Sequence, residues 1–172
     1  MTEESLASPG RRALFRRFSK PEPVELPQSK YPRPPWAQEN RAFLSLCNRC
    51  NLCVENCPRR VLRKSEEDLP VLNNTPVLSL DYGSCDYCGE CVDHCPTGAL
   101  SREKGTQIQT VATLSGNCQR ALDPYCDLCV DACTEKAIDL NPKSIVIDHD
   151  KCTGCGECSL DCYSKAISII KC

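Results

Sequence analysis

Residues 47–58 read Cys47-Asn48-Arg49-Cys50-Asn51-Leu52-Cys53-Val54-Glu55-Asn56-Cys57-Pro58, and residues 85–96 read Cys85-Asp86-Tyr87-Cys88-Gly89-Glu90-Cys91-Val92-Asp93-His94-Cys95-Pro96. The same spacing, C-x2-C-x2-C-x3-C closed by proline, thus occurs twice in one chain. Cys152, Cys155, Cys158 and Cys162 repeat it with Tyr163 in place of the proline. A third set departs: seven residues separate Cys118 from Cys126, after which Cys129 and Cys133 keep the regular steps and Thr134 follows.

Working outward, the flanks repeat as well. Leu78-Ser79-Leu80 leads into Cys85, Val111-Ala112-Thr113-Leu114 into Cys118, and Ile145-Val146-Ile147 into Cys152, each reading as a short strand. This common placement assigns Cys118 to the third set. After each fourth cysteine comes a turn and an apolar pair: Val61-Leu62, Ala99-Leu100, Ala137-Ile138 and Ala166-Ile167. One unit therefore recurs four times.

Three cysteines at steps of three can curl a loop around three iron corners of a cubane, and the fourth corner must be reached from elsewhere. In two-cluster ferredoxins the last cysteine of the other motif supplies it. Zinc sites are assembled from separated C-x2-C pairs and do not call for such a run. The sixteen cysteines are therefore expected to hold four [4Fe–4S] clusters. Cys172, the seventeenth, reads as a free surface thiol. His94 lies inside the second set without replacing a cysteine, so its expected role is solvent contact. Tyr87 and Tyr125, each ahead of a second-position cysteine, read as small-core aromatics.

Composition agrees with a metal-stapled fold. Of 172 residues, 41% are hydrophobic with the 17 cysteines included, and 5% are aromatic. Such a thin core needs disulfides, metals or association. The first thirty residues have no apolar stretch of signal-peptide length, which argues against export and for a cytoplasmic protein whose thiols stay reduced. No apolar run approaches the roughly 20 residues of an integral membrane span. A net charge of −2 gives no nucleic-acid footprint.

The segment from Thr134 to Asp148 reads as two short strands around Asn141-Pro142-Lys143-Ser144, like the hairpin between the two motifs of a bacterial ferredoxin. That pairs the third and fourth sets and leaves the first with the second. The rival arrangement nests the second and third sets between the first and fourth. The expected class is α+β: two ferredoxin-like dicluster modules, 43–107 and 108–172, behind an N-terminal arm, 1–42. Six prolines between Pro21 and Pro35 make the arm an extended linker without helix. Ahead of them, Gly10 to Lys20 places five cations beside Leu14, Phe15 and Phe18, the pattern of a short basic amphipathic helix or of a solvated tail.

No Walker-A run, no G-x-G-x-x-G after a strand and no Ser/His/Asp arrangement is visible, so the chain reads as an electron carrier or maturation factor without a substrate site. The basic start Arg11-Arg12-Ala13-Leu14-Phe15-Arg16, Arg33-Pro34-Pro35-Trp36, Phe43-Leu44 and the wide Cys118 to Cys126 gap resemble the NapF family, the ferredoxin-type accessory proteins of periplasmic nitrate reductase. The resemblance implies a cytoplasmic partner of the molybdenum-containing catalytic subunit NapA before its export, assisting its maturation by electron transfer or cluster assembly. It carries the sixteen cysteines over as ligands and no catalytic residue. An electron-transfer subunit of another redox complex is the alternative.

Overall fold

Each cysteine run ends in about one turn of helix: α2 (Leu52–Glu55), α3 (Glu90–Asp93), α4 (Leu128–Asp131) and α5 (Glu157–Asp161), with α1 (Asn40–Leu46) ahead of the first run. These belong to a computed structural model that describes residues 26–105 and 108–172. Helices this short do not sustain themselves and persist by packing. Three are entered through a left-handed residue, Asn51, Gly89 or Gly156, at φ 65°, 85° and 92°. The third is entered through Asp127 at φ −138°, because the wider loop, with a 3-10 turn at Gln119–Ala121, approaches the helix without that reversal.

Past each fourth cysteine the backbone is left-handed again, at Arg60, Gly98, Lys136 and Lys165. The turn tucks the following apolar pair inward, and all eight residues of the four pairs are buried. The fourfold repeat therefore survives in the third unit, where the cysteine spacing alone departs.

In the second module β3 (Thr110–Leu114) pairs antiparallel with β6 (Ile167–Lys171), Leu114 opposite Ile167, and β4 (Ile138–Asn141) forms a hairpin with β5 (Ser144–Ile147). The first module has the counterpart hairpin, β1 (Leu62–Lys64) with β2 (Pro76–Leu78). Its outer strand pair shrinks to one bridge, Ala37 opposite Leu100, flanked by bonds from the Gln38 N–H to the Ala99 carbonyl and from the Ser101 N–H to the Trp36 carbonyl. The strand ahead of Cys85 stops at Leu78, earlier than expected, and the Ser79 N–H turns to the Val61 carbonyl.

Two cores result. Trp36, Phe43, Val61, Leu62, Leu78 and Leu100 surround Cys53 and Cys91, whereas Ala112, Ile138, Ile145 and Ile167 surround Cys158.

The arm differs from the expected linker. It runs without helix from residue 26 to a turn at Pro35 and Trp36, the latter left-handed at φ 61°, but Pro34 and Pro35 are fully buried and Trp36 is only 5% exposed. Arg33 stacks 4.6 Å over the Phe43 ring and donates from Nη1 to Thr75 Oγ1 at 2.6 Å. The chain ahead of α1 is a wall of the first module, and α1 itself spans the expected boundary at residue 42. Ile108, assigned by sequence to the second module, packs in the first core. Pro21, Pro23 and the basic segment 10–20 lie outside the described residues. No helix among the described residues is long and apolar enough to cross a membrane.

Candidate metal centres

The three leading cysteines of each run line a cavity that the last cysteine of a different run completes. Cys47, Cys50 and Cys53 share theirs with Cys95. Cys85, Cys88 and Cys91 share theirs with Cys57. Cys118, Cys126 and Cys129 meet Cys162, and Cys152, Cys155 and Cys158 meet Cys133. The four cavities are nearly equal, about 320 to 370 Å³ of empty space with the open mouth included. Neighbouring runs thus exchange their fourth cysteines, first with second and third with fourth, and the nested arrangement does not occur. Cys118 stands with its own set despite the gap. Cys172 is exposed and lines none of these cavities.

The surroundings suit a large anionic group held by sulfur. Among the described residues no three His, Cys, Asp or Glu side chains converge enough to hold one metal ion. Left-handed residues on either side of the second cysteine, Arg49 with Asn51, Tyr87 with Gly89, Gly154 with Gly156, fold the loops into the kind of backbone concavity that gathers N–H groups about an anion. Gly154 admits no substitute: a Cβ there would collide with the Thr110 carbonyl, whose residue closes on the loop through Thr110 Oγ1 donating to the Gly154 carbonyl.

Backbone N–H groups also point at sulfur. Leu100, Ala137 and Ala166 donate to Cys95, Cys133 and Cys162 at 3.3–3.4 Å, and Ala112 donates to Cys152 at 3.5 Å. Such bonds tune cluster potentials. Burial raises the Cys95 and Cys162 thiols, but N–H and hydroxyl donors from Thr97 and Ser164 and their neighbours outweigh it and hold both below the ordinary value. The third cysteines lack that relief. Burial first, then the neighbouring thiols, push Cys53, Cys91 and Cys158 up to about 12. Without iron these carry their protons at neutral pH, so metal loading must release them.

Sequence reasoning missed the seam between the modules. The Cys85 N–H donates to the Cys155 carbonyl at 2.8 Å, and the Tyr87 hydroxyl donates to the Thr153 carbonyl. Arg59 bridges Asp86 and Glu157 at 3.5 and 3.3 Å. Tyr87, read as a core aromatic, packs partly buried against the first core with its ring edge-on to Trp36, 6.2 Å between centroids, while its hydroxyl reaches the seam. Tyr125 departs from its expectation and is 89% exposed. Its loop widens outward, so no core forms around it. His94 faces solvent in part, lines the first cavity, and places Nδ1 2.9 Å from the Glu90 carbonyl.

The comparisons with known proteins agree with this geometry. A 4Fe–4S dicluster domain matches residues 46–99 and again 124–166, the second match beginning beyond Cys118. An uncharacterized protein of Haemophilus influenzae is 30% identical over 137 residues, which cover 80% of this chain and 76% of that protein. Dicluster domains are typical of electron carriers. With both halves matched, and with sulfur gathered in fours where the runs exchange their last cysteines, the chain belongs to the 4Fe–4S dicluster family of ferredoxin-like iron–sulfur proteins.

Proposed function

We propose that the chain carries four [4Fe–4S] clusters and acts as a NapF-like accessory protein, assisting maturation of a NapA-type nitrate reductase precursor in the cytoplasm. The lining of each of four cavities by three cysteines of one run and one of its neighbour supports the cluster count. Each set would hold one cubane, which when bound supplies reversible one-electron storage.

The partner reading rests on what a minimal ferredoxin does not need. The loop Gln119–Tyr125, between Cys118 and Cys126 of the third set, leaves Leu122 and Tyr125 85% and 89% exposed. Arg120 holds this loop from behind, donating from Nε to the Asn141 carbonyl at 2.6 Å and from Nη1 to the Cys126 carbonyl at 3.0 Å. An apolar surface fixed in place loses little freedom on binding. Four oxidised clusters, each about −2 with its thiolates, would take the chain from −2 to about −10. The basic segment near the start then has the opposite sign to the body and is a second candidate contact.

Anaerobic reconstitution should give about sixteen iron and sixteen sulfide per chain. Zinc as the principal metal would overturn the cluster reading. A pull-down of the NapA-type precursor should succeed with the loaded chain and weaken on deletion of residues 1–25 and in the pair Leu122→Ser, Tyr125→Ser. The deletion stops there because Arg33 to Trp36 belong to the core. Absence of precursor binding by the loaded wild-type chain would remove the partner.

A further inference from the structure

We infer that the seam between the modules is an electronic junction that joins the four centres in the order first, second, fourth, third. This rests on the four-cluster reading above and adds what that reading leaves open, which centre faces which across the modules. Within each module the exchange of fourth cysteines already ties the two sites together. Between modules the contact is made by the ligand loops themselves. Cys85 lines the second cavity and Cys155 the fourth, and the N–H of one donates directly to the carbonyl of the other at 2.8 Å. All four cavities are lined from within their own modules, and among the described residues the hydrogen bonds between cysteine loops of different modules join the second run to the fourth.

Three further contacts hold the junction in register. Tyr87, one residue before Cys88, reaches the Thr153 carbonyl, one residue after Cys152. A Cβ at Gly156 would stand in van der Waals contact with the Leu80 side chain and the Gly83 carbonyl, at 3.4 and 3.5 Å, so the two loops lie side by side. Arg59 ties both sides, bonded to Ser84 and paired with Asp86 and Glu157. Apolar side chains form part of the walls: Trp36, Val61 and Leu78 border the second cavity, and Ala112, Ile138 and Ile147 the fourth.

With both sites loaded, a single electron crossing the seam would oxidise the cluster at the second site by one unit and reduce that at the fourth by one. No bond forms or breaks and no proton moves. The electron originates outside the chain, in a low-potential one-electron donor such as a reduced flavin, and the end sites are where it enters and leaves. The third site is bordered by the exposed Leu128 and Tyr163, and Leu122 and Tyr125 are exposed on its Gln119–Tyr125 loop, so it is the apolar end.

The test is electron paramagnetic resonance of the full, anaerobically reconstituted chain reduced with dithionite, after its iron and sulfide have been counted. Cys50→Ala with Cys126→Ala leaves the seam pair, and Cys88→Ala with Cys158→Ala leaves the end pair. The seam pair should give a split spectrum from two interacting spins, and the end pair two isolated signals. In the otherwise intact chain, Arg59→Glu sets like charges against Asp86 and Glu157 and should lose the inter-module part of the interaction while keeping its iron. Isolated signals from a loaded seam pair, or splitting as strong in the end pair, would overturn the junction. If the double variants do not load, an unchanged spectrum in Arg59→Glu overturns it. A wild-type chain short of four clusters is recognised from the metal count before any spectrum and removes the underlying reading instead.

Discussion

The two modules repeat one pattern but close it differently. In the first, the proline-rich arm lays Trp36, Pro34 and Pro35 against the core, and the outer strand pair is reduced to the Ala37–Leu100 bridge. In the second, a full five-residue ladder, β3 with β6, covers that edge, no tryptophan or phenylalanine is present, and the buried cluster comprises Ala112, Ile138, Ile145, Cys158 and Ile167. One module is sealed by side chains from outside the repeat, the other by backbone pairing within it. The difference shows that the cysteine loops define the unit and that its closure is interchangeable. It also leaves the second module with less apolar burial, hence more dependent on its metal.

Removing iron should have the largest effect. Chelation is expected to leave the chain largely disordered by circular dichroism, because cluster binding stands in for core in both modules. Any residual order should lie around Trp36, whose fluorescence reports the first module alone. A cooperative, native-like melt without iron would contradict the comparison altogether.

Next come the exchanged cysteines. Cys57→Ser should cost the second site and Cys162→Ser the third, about four iron in each case. Metal analysis with resonance spectroscopy distinguishes these from losses at the sites of their own runs. Trp36→Ala should then destabilise the first module of the loaded protein by about 3–5 kcal/mol, read by anaerobic denaturant titration, and leave the second module's transition in place. The smallest effect is expected in the loop between Cys118 and Cys126. Leu122→Ser and Tyr125→Ser should change stability by no more than about 0.5 kcal/mol, since so little of either side chain is buried.

Much of this was legible in the sequence because cysteine spacing is a geometric demand. Steps of three around a cubane leave one corner open, which anticipated the crossing of Cys57, Cys95, Cys133 and Cys162. The hairpin around Pro142 and the buried pairs after each fourth cysteine followed from turn residues and apolar placement. The arm was misread because a proline-rich stretch signals an extended backbone equally well whether it lies on a core or in solvent, and only the burial of Pro34, Pro35 and Trp36 separates the two. The seam was illegible for another reason. Its central bond joins a backbone N–H to a backbone carbonyl, groups every residue carries, so no residue type marks it.

The pairing of β6 with β3 has a bearing on when each half can be finished. The first module has all its cysteines and its closing bridge once the chain has reached Leu100. The second needs residues made later: Cys162 completes the third site, Ile167 to Lys171 complete the ladder, and Lys171 Nζ then donates to the carbonyl of Ser29 in the arm. Since domains fold in order of emergence during synthesis, a ribosome stalled between residues 110 and 160 would carry a nascent chain with one half ready for iron and the other with its cysteines still open to oxidation. A product truncated before Cys162 should therefore have one competent half, the first.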